Sequence, residues 1–122
     1  MSRTETDERR AHTRYAAEIQ VQGTPEDGGV VARMISSDLS VGGLSCVSSA
    51  DFAEMTRLAV RLMLPLNGVS EEYSPLDVEA VVVRREELTE ASNGDQRYEL
   101  ALYFTGLEES TQQRLQTFLA SN

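Results

Sequence analysis

The sequence predicts an all-β fold, a six-stranded antiparallel barrel followed by a C-terminal helix, from three observations. Six short segments carry apolar residues at every second position, the period of a half-buried strand. Turn-forming residues separate these segments at intervals too short for the helical crossovers that parallel strands need. The C-terminal end then changes to helical spacing.

The predicted strands follow one another along the chain. They cover residues 15–22, 30–36, 44–48, 57–65, 76–86 and 97–104. The residues "GTPEDGG" supply a turn after the first strand, and residues 66–75 are expected to form a loop. The residues expected to face the core in the first strand are Tyr15, Ala17, Ile19 and Val21.

The predicted helix covers residues 107–120 and would close one open end or one face of the barrel. Leu107, Leu115 and Leu119 fall at helical spacing. Its start has two alternatives, because a capping box could be formed by Ser110 with Gln113 or by Thr105 with Glu108. In either box the hydroxyl and the carboxylate or amide satisfy amides of the first helical turn.

Composition limits the class of protein. A chain of 122 residues is long enough for one hydrophobic core and not for two. The net charge of −9 argues against DNA or RNA as a partner, because phosphate backbones are bound by broad basic surfaces. The single cysteine, Cys46, excludes an intramolecular disulfide and favours a cytoplasmic location. Residues 1–8 are expected to be a disordered tail, and no signal peptide or membrane insertion is predicted.

Three arginines stand together ahead of the first strand, in "RRAHTR" at residues 9–14. A guanidinium group offers a planar fork of donors that matches phosphate oxygens or the O6 and N7 edge of guanine, and its plane can stack on a purine. Arg10 and Arg14 are four residues apart, so both could contact one small anion. The alternative is a solvated basic arm that balances Asp7 and Glu8, and this stretch alone favours that alternative.

A second polar stretch, "DLSVGG" at residues 38–43, lies between the second and third predicted strands. The carboxylate of Asp38 can accept hydrogen bonds from the Watson–Crick edge of guanine, and the hydroxyl of Ser40 can donate or accept. Gly43 has no Cβ, so its backbone can turn sharply or approach a ligand closely. The alternative is an ordinary hairpin turn, which needs the same residue types.

Together the two stretches resemble the PilZ domain family. R-x-x-x-R from Arg10 to Arg14 is followed, after one hairpin, by D-x-S-x-x-G from Asp38 to Gly43. Both motifs are complete and in the family's order. The resemblance covers residues 9–122, with the arginine arm at 9–14, a barrel at 15–105 and the helix at 107–120. It implies a stand-alone, single-domain bacterial receptor for cyclic di-GMP that is cytoplasmic, is not an enzyme and needs no cofactor.

The resemblance also implies a role for each motif residue. Arg10 and Arg14 would hold phosphates and guanine edges. The residues implied to form the floor of the site are Asp38, Ser40 and Gly43. Arg9 directly precedes Arg10. In the family an arginine at this position accompanies the binding of two stacked cyclic di-GMP molecules per chain, so two molecules are expected here. The arm would become ordered when the ligand binds, and an unidentified effector protein would receive the signal.

Two other functions were weighed against this one. A PilZ-fold adaptor that acts through protein contacts without nucleotide would be favoured by incomplete motifs, whereas both are complete. An enzyme acting on nucleotides would need a catalytic set, and neither a nucleophile elbow nor a cluster of metal ligands is visible. His12, the single histidine, is expected to face solvent on the arm. Cys46 is interpreted as a core residue, and Arg84 and Arg85 as solvated charges.

Overall fold

The computed structural model of the chain describes residues 15–66, 69–88 and 96–120. Its strands are β1 (Tyr15–Ala16), β2 (Gln20–Pro25), β3 (Ala32–Leu39), β4 (Gly43–Ser48), β5 (Arg57–Leu66), β6 (Val69–Leu88) and β7 (Arg97–Thr105). The helix α1 (Glu109–Ala120) follows. The predicted disordered tail, residues 1–8, lies outside the described residues.

The strands form a closed antiparallel barrel, as predicted. Their order is β1-β3-β2-β5-β6-β7-β4, and a further pairing of β3 with β4 closes the ring. Because β1 is attached only to β3, the closed barrel itself has six strands. Closure matters physically, because an open sheet would leave a row of unpaired backbone groups at each edge.

The alternating residues of the later strands fill the barrel, as their period of two predicts, except that Tyr98, also expected to face the core, is only partly buried against it. The other such residues of β5, β6 and β7 are Leu58, Val60, Leu62, Leu64, Leu76, Val78, Ala80, Val82, Leu100, Leu102 and Phe104, all buried. The first strand differs, because Tyr15 is exposed whereas Ala17, Ile19 and Val21 are buried. Tyr15 belongs to β1, which pairs on one side only, and so no neighbouring strand covers its other side.

The single first strand that the alternation predicts is divided in two by Ser36 of β3. The Ser36 hydroxyl is buried, accepts a hydrogen bond from the Ile19 amide at 3.0 Å and donates one to the Ala17 carbonyl at 2.5 Å. The Ser36 side chain therefore satisfies backbone groups where the chain leaves the ladder between β1 and β2. A buried amide or carbonyl without such a partner would cost about 1–3 kcal/mol.

The loop predicted at residues 66–75 is wrong, because β5 and β6 form one long hairpin. The pairing continues from Arg57 opposite Val81 to Leu66 opposite Val69. Pro65 and Pro75 suggested a loop, since proline cannot donate to a ladder. Here Pro65 lies beside a register shift, and Pro75 pairs with Met63 without ending β6.

The helix begins two residues later than predicted, and neither predicted capping box forms its start. The carbonyl of Glu108 accepts the first helical hydrogen bond, from the Gln112 amide at 2.8 Å, which makes Glu108 the N-cap residue. Leu115 and Leu119 belong to the barrel's core cluster, so the apolar face of α1 packs on the barrel. The Arg114 guanidinium also donates to the Pro75 carbonyl at 3.3 Å, which connects α1 to β6.

The loop between β4 and β5, residues 49–56, is held against the barrel by a charged contact. Phe52 of this loop is buried in the core. The guanidinium of Arg85 donates to both carboxylate oxygens of Asp51, to Oδ2 at 2.9 Å, and lies over the ring of Tyr98 at 5.1 Å from its centroid. The backbone amide of Met55 donates to the Val82 carbonyl at 2.7 Å, which fixes the loop a second time.

Candidate functional site

The turn that joins β3 to β4 carries the second sequence motif, and Ser40 organises it. Ser40 is buried, and its hydroxyl accepts hydrogen bonds from the amides of Gly42 at 3.1 Å and Gly43 at 3.2 Å. The same hydroxyl lies 3.2 Å from the Gly43 carbonyl, to which it donates, and the Ser40 amide donates to that carbonyl at 2.8 Å. In this structure the Ser40 side chain stabilises its own turn.

Asp38 reaches the outer surface because β3 contains a bulge. The pairing of β3 with β4 shifts between Ser36 and Asp38, so that Ser36 lies opposite Cys46 and Asp38 opposite Ser45. Ser36 and Leu39 are buried, whereas Ser37 is exposed and Asp38 is half-buried. The bulge therefore turns two successive side chains away from the core, an arrangement common next to binding sites. The Asp38 Oδ1 accepts a hydrogen bond from the Ser45 amide at 3.2 Å.

Gly43 is required by the neighbouring strand. A Cβ at this position would lie 2.1 Å from the carbonyl oxygen of Leu102 and 3.3 Å from the Cα of Tyr103. Since these are backbone atoms of β7, they could move only if the strand moved. The close approach that the sequence predicted at this glycine is thus made, within the described residues, by β7.

The arginine arm, Arg9, Arg10 and Arg14 together with His12, lies outside the described residues. Tyr15, the residue after Arg14 in the sequence, pairs with Leu39, and Ala16 pairs with Asp38. The described chain thus begins in register with the first two residues of "DLSVGG". The strand pairing brings the chain that follows the first motif to the second motif, although the two are more than twenty residues apart in the sequence.

The outer face of the barrel beside this turn contains residues that the sequence did not indicate. Across the strands, Asp38 lies opposite Ser45, Ser45 opposite Ala101, and Ala101 opposite Arg84. In the adjoining row Gly43 lies opposite Tyr103, which is 56% exposed. These side chains come from four separate strands, and only knowledge of the register could have placed them together.

Two open grooves occur in the described part of the chain, and neither is lined by residues 38–45. The first, of about 710 Å³, lies between the strands β2, β5 and β6 and the start of α1. The second, of about 870 Å³, lies along β2, β3 and β4 and includes Arg33 and Arg97.

Cys46 is a core residue, as predicted. It is fully buried, and burial, with smaller contributions from the negative charges of Glu99 and Asp38, raises the pKa of its thiol to about 12. At neutral pH it is therefore a thiol and a poor nucleophile. Among the described residues no three His, Cys, Asp or Glu side chains are grouped so that they could hold a metal ion. The described helix is too short and too polar to span a membrane.

Comparisons with known proteins agree with the fold. The family model described as "PilZ domain" matches residues 8–121. The structure of the YcgR PilZ domain from Escherichia coli with c-di-GMP is similar, with a TM-score of 0.71 and 19% identity over 93% of this chain and 90% of that one. Bacillus subtilis MotI/DgrA, an inhibitor of motility, has a TM-score of 0.70 and 24% identity over 93% of this chain and 50% of that one.

A third similar structure is MrkH, described as a c-di-GMP-dependent transcription regulatory factor. Its TM-score is 0.68, with 16% identity over 90% of this chain and 49% of that one. No curated protein matches the chain in sequence. The chain spans about half the length of MotI/DgrA and of MrkH, so these matches concern one domain of each longer protein.

Proposed function

The chain belongs to the PilZ domain family, and we propose that it is a receptor for cyclic di-GMP. The observation that carries the proposal is the pairing of β1 with the end of β3, which joins the chain next to Arg14 to Asp38. Arg14 is the last residue of the arm, so a ligand held on the outer face at Asp38 would lie where the arm joins the barrel. Family membership supports the receptor class, and the two complete motifs support the ligand.

The proposed site combines charge, hydrogen bonding and stacking. Cyclic di-GMP is a compact dianion with two guanines. Arg10 and Arg14 bind its phosphates and guanine edges with the planar guanidinium fork. Asp38 accepts hydrogen bonds from the N1–H and amino group of guanine. Arg9 supplies a third guanidinium, and we propose that it permits a second, stacked nucleotide.

The turn residues Ser40 and Gly43 act on the ligand indirectly, through the structure of the turn. Ser40 and Gly43 hold the turn and the β4–β7 pairing in the conformation that presents Asp38. Their place in the motif is thereby explained without direct contact to the nucleotide. Direct contact of Ser40 with the ligand would require its hydroxyl to give up bonds that it now makes within the turn.

We propose that ligand binding orders residues 9–14 and that an effector protein recognises the ordered arm. The ordering of a segment by a ligand is a common switching mechanism, because the ligand supplies the contacts that offset the lost chain entropy. No catalytic activity and no cofactor enter this proposal. A cytoplasmic location is proposed with it, since cyclic di-GMP is an intracellular messenger.

DNA or RNA is not proposed as a partner, although MrkH is described as a transcription regulator. The net charge of −9 would repel a polyanion, whereas a small dianion can be held by a local group of arginines.

A PilZ-fold adaptor that works without nucleotide is the second candidate function. It is favoured by the internal bonding of the motif, because the hydroxyl of Ser40 and the missing side chain of Gly43 both serve the barrel. A motif could thus be complete for structural reasons alone. Nucleotide binding separates the two candidates.

The deciding experiment is isothermal titration of the chain with cyclic di-GMP, using GTP and cyclic di-AMP as controls. We expect saturable binding selective for cyclic di-GMP, near two nucleotides per chain. A ratio near one would keep the receptor and remove the role given to Arg9. No binding, checked by equilibrium dialysis because binding heats can cancel, would contradict the receptor and leave the adaptor.

A further inference from the structure

We propose that the nucleotide site extends from Asp38 across β4 and β7 to β6, where Tyr103 and Arg84 contact the bases. This inference rests on the proposed binding of cyclic di-GMP. It adds two residues that lie outside both sequence motifs and are brought to the site only by the barrel.

The strand register places the four residues of this surface in one row. Asp38, Ser45, Ala101 and Arg84 are directly opposite one another across β3, β4, β7 and β6. Directly opposite residues of antiparallel strands project from the same face. That face is the outer one, because the neighbours Leu44, Leu100 and Leu102 are in the core. With strands about 4.8 Å apart, the row from Asp38 to Arg84 is about 14 Å long.

The side chains in the middle of the row are small, and those at its borders are large. Ser45 and Ala101 have small side chains, of which Ser45 is buried and Ala101 half-buried, and Gly43 in the adjoining row has no side chain. Tyr103 stands beside Gly43 and is 56% exposed, and Val83 at the far end is 49% exposed. A flat base laid over Ala101 would have an aromatic side chain at its edge and an arginine at its end.

Both ends of the row lie next to a bulge. The register of β3 with β4 shifts between Ser36 and Asp38, and that of β6 with β7 shifts between Val82 and Arg84. Val82 is fully buried, whereas Val83 and Arg84 are both exposed, so the second bulge also turns two successive side chains outward. Bulges redirect side chains and are frequent beside binding sites.

Arg84 differs from Arg85, the next residue of β6. Arg85 is bound to Asp51, whereas Arg84, like Arg33, Arg57 and Arg97 on other strands, forms no side-chain hydrogen bond or ion pair with a described residue. Its guanidinium fork can therefore pair with the O6 and N7 edge of a guanine. Asp38 is assigned the Watson–Crick edge of guanine, so Arg84 adds a contact to a different edge.

Tyr103 supplies the stacking surface. Aromatic stacking on a base contributes enough that its removal commonly weakens binding about ten- to a hundredfold. The phenol ring can stack without its hydroxyl, so phenylalanine should replace tyrosine with little loss. Arg84 needs its planar fork, so lysine should retain attraction for the dianion and lose preference for guanine.

The test is titration of seven variants with cyclic di-GMP and cyclic di-AMP, one of which, Asp38→Ala, serves as the reference for impaired binding. Tyr103→Ala and Arg84→Ala should each weaken cyclic di-GMP binding about tenfold or more, and Tyr103→Phe should bind like the wild type. Arg84→Lys should bind with reduced discrimination against cyclic di-AMP. Tyr73→Ala and Arg33→Ala, which remove an exposed tyrosine at the far end of β6 and an exposed arginine opposite Gln22 on β3, are the matched controls and should change nothing.

The melting temperature, Tm, of each variant separates a binding effect from unfolding, and we expect it to be unchanged because both side chains are exposed. Wild-type affinity in Tyr103→Ala and Arg84→Ala, with Asp38→Ala impaired, would overturn the extension and leave the receptor intact. A loss in only one of the two would overturn the role of the other residue. Failure of the unmodified chain to bind cyclic di-GMP would overturn the extension together with the receptor.

Discussion

Arg84 and Arg85 are neighbours in β6, yet they belong to two regions with opposite chemistry. Arg85 lies where the β4–β5 loop meets the barrel, bound to both oxygens of Asp51 and stacked over Tyr98. Arg84 lies on the outer face in the same row as Asp38, with no partner among the described residues. The comparison shows that two successive arginines of one strand differ in bonding, because the bulge turns Arg84 to the outer face and Arg85 towards the loop.

The residues of the "DLSVGG" turn differ in burial, because Ser40 and Gly43 are buried whereas Asp38 is half-buried and accepts a hydrogen bond from the Ser45 amide. Ser40 and Gly43 are used by the turn and by β7, as Arg85 is used by the loop. Asp38 projects onto the same outer face as Arg84. Substitutions in one motif should therefore separate into those that destabilise the barrel and those that weaken binding.

Gly43→Ala should have the largest effect on stability. The new Cβ would lie 2.1 Å from the Leu102 carbonyl, so β4 and β7 would have to separate. We expect a loss of about 3 kcal/mol in the free energy of unfolding. That corresponds to a fall in Tm of about 10 °C, measurable by thermal denaturation followed by circular dichroism.

Gly23→Ala is the control for this substitution. Its Cβ would lie 2.5 Å from the terminal methyl of Met34, which is the end of a flexible side chain and can move aside. We expect a smaller loss than for Gly43→Ala. If Gly43→Ala melted like the wild type and lost only nucleotide binding, the glycine would belong with Asp38, and the division of the motif would be wrong.

Arg14→Ala should affect binding alone. We expect affinity for cyclic di-GMP to fall about a hundredfold or more, because a charge-assisted fork to phosphate or guanine is lost. The Tm should stay unchanged, since Arg14 precedes the first strand. Arg33→Ala removes the same charge from β3, opposite Gln22, and should bind normally in the same titration. Wild-type affinity in Arg14→Ala would remove the arm from the site.

The fold could be predicted from the sequence wherever strands alternate cleanly. Every second residue from Leu58 to Leu64 and from Leu76 to Val82 faces the core, because a period-two pattern of apolar residues is visible in the local sequence. Alternation says nothing about interruptions, and the break between β1 and β2 depends on Ser36, a residue distant in the sequence. The long β5–β6 hairpin was missed for a related reason, since two prolines indicate a loop unless tertiary pairing accommodates them.

The site could be predicted in part. The resemblance to the PilZ family, carried by the two motifs, implies site roles for Asp38, Ser40 and Gly43, and β1 pairs the chain that follows Arg14 with the first two residues of "DLSVGG". Which of these residues are structural and which are exposed depends on contacts with Leu102 and within the turn. The spacing of residues in the sequence does not predict those contacts. Arg84 and Tyr103 carry no motif at all, because only the register of four strands brings them to this face.

Asp51→Asn should have the smallest effect and tests the satisfied region directly. The hydrogen bond from Arg85 lowers the pKa of the Asp51 carboxyl below its ordinary value. A lowered pKa in the folded state means that the contact stabilises the fold above the pKa of an unfolded aspartate, about 3.9, and that this stability is lost as the pH falls through the folded value. We expect Asp51→Asn to lower Tm by only about 2 °C at pH 7, because the pair is largely exposed. The difference from the wild type should shrink below pH 4.

Asp77→Asn is the matched control. It breaks the ion pair with Arg61, which connects β5 to β6 directly and attaches no loop to the barrel. Both substitutions should show the same pH trend, because the pKa of Asp77 is likewise lowered by its hydrogen bond from Arg61. Only Asp51→Asn should speed amide hydrogen exchange in residues 49–56, where Asp51 connects the loop to Arg85. Equal exchange in both variants would mean that Phe52 and the backbone bond of Met55 hold the loop by themselves. The ion pair of Arg85 would then contribute no measurable stability to the loop. Arg85 and Arg84 would differ in their contacts and not in their effect on the stability of the barrel.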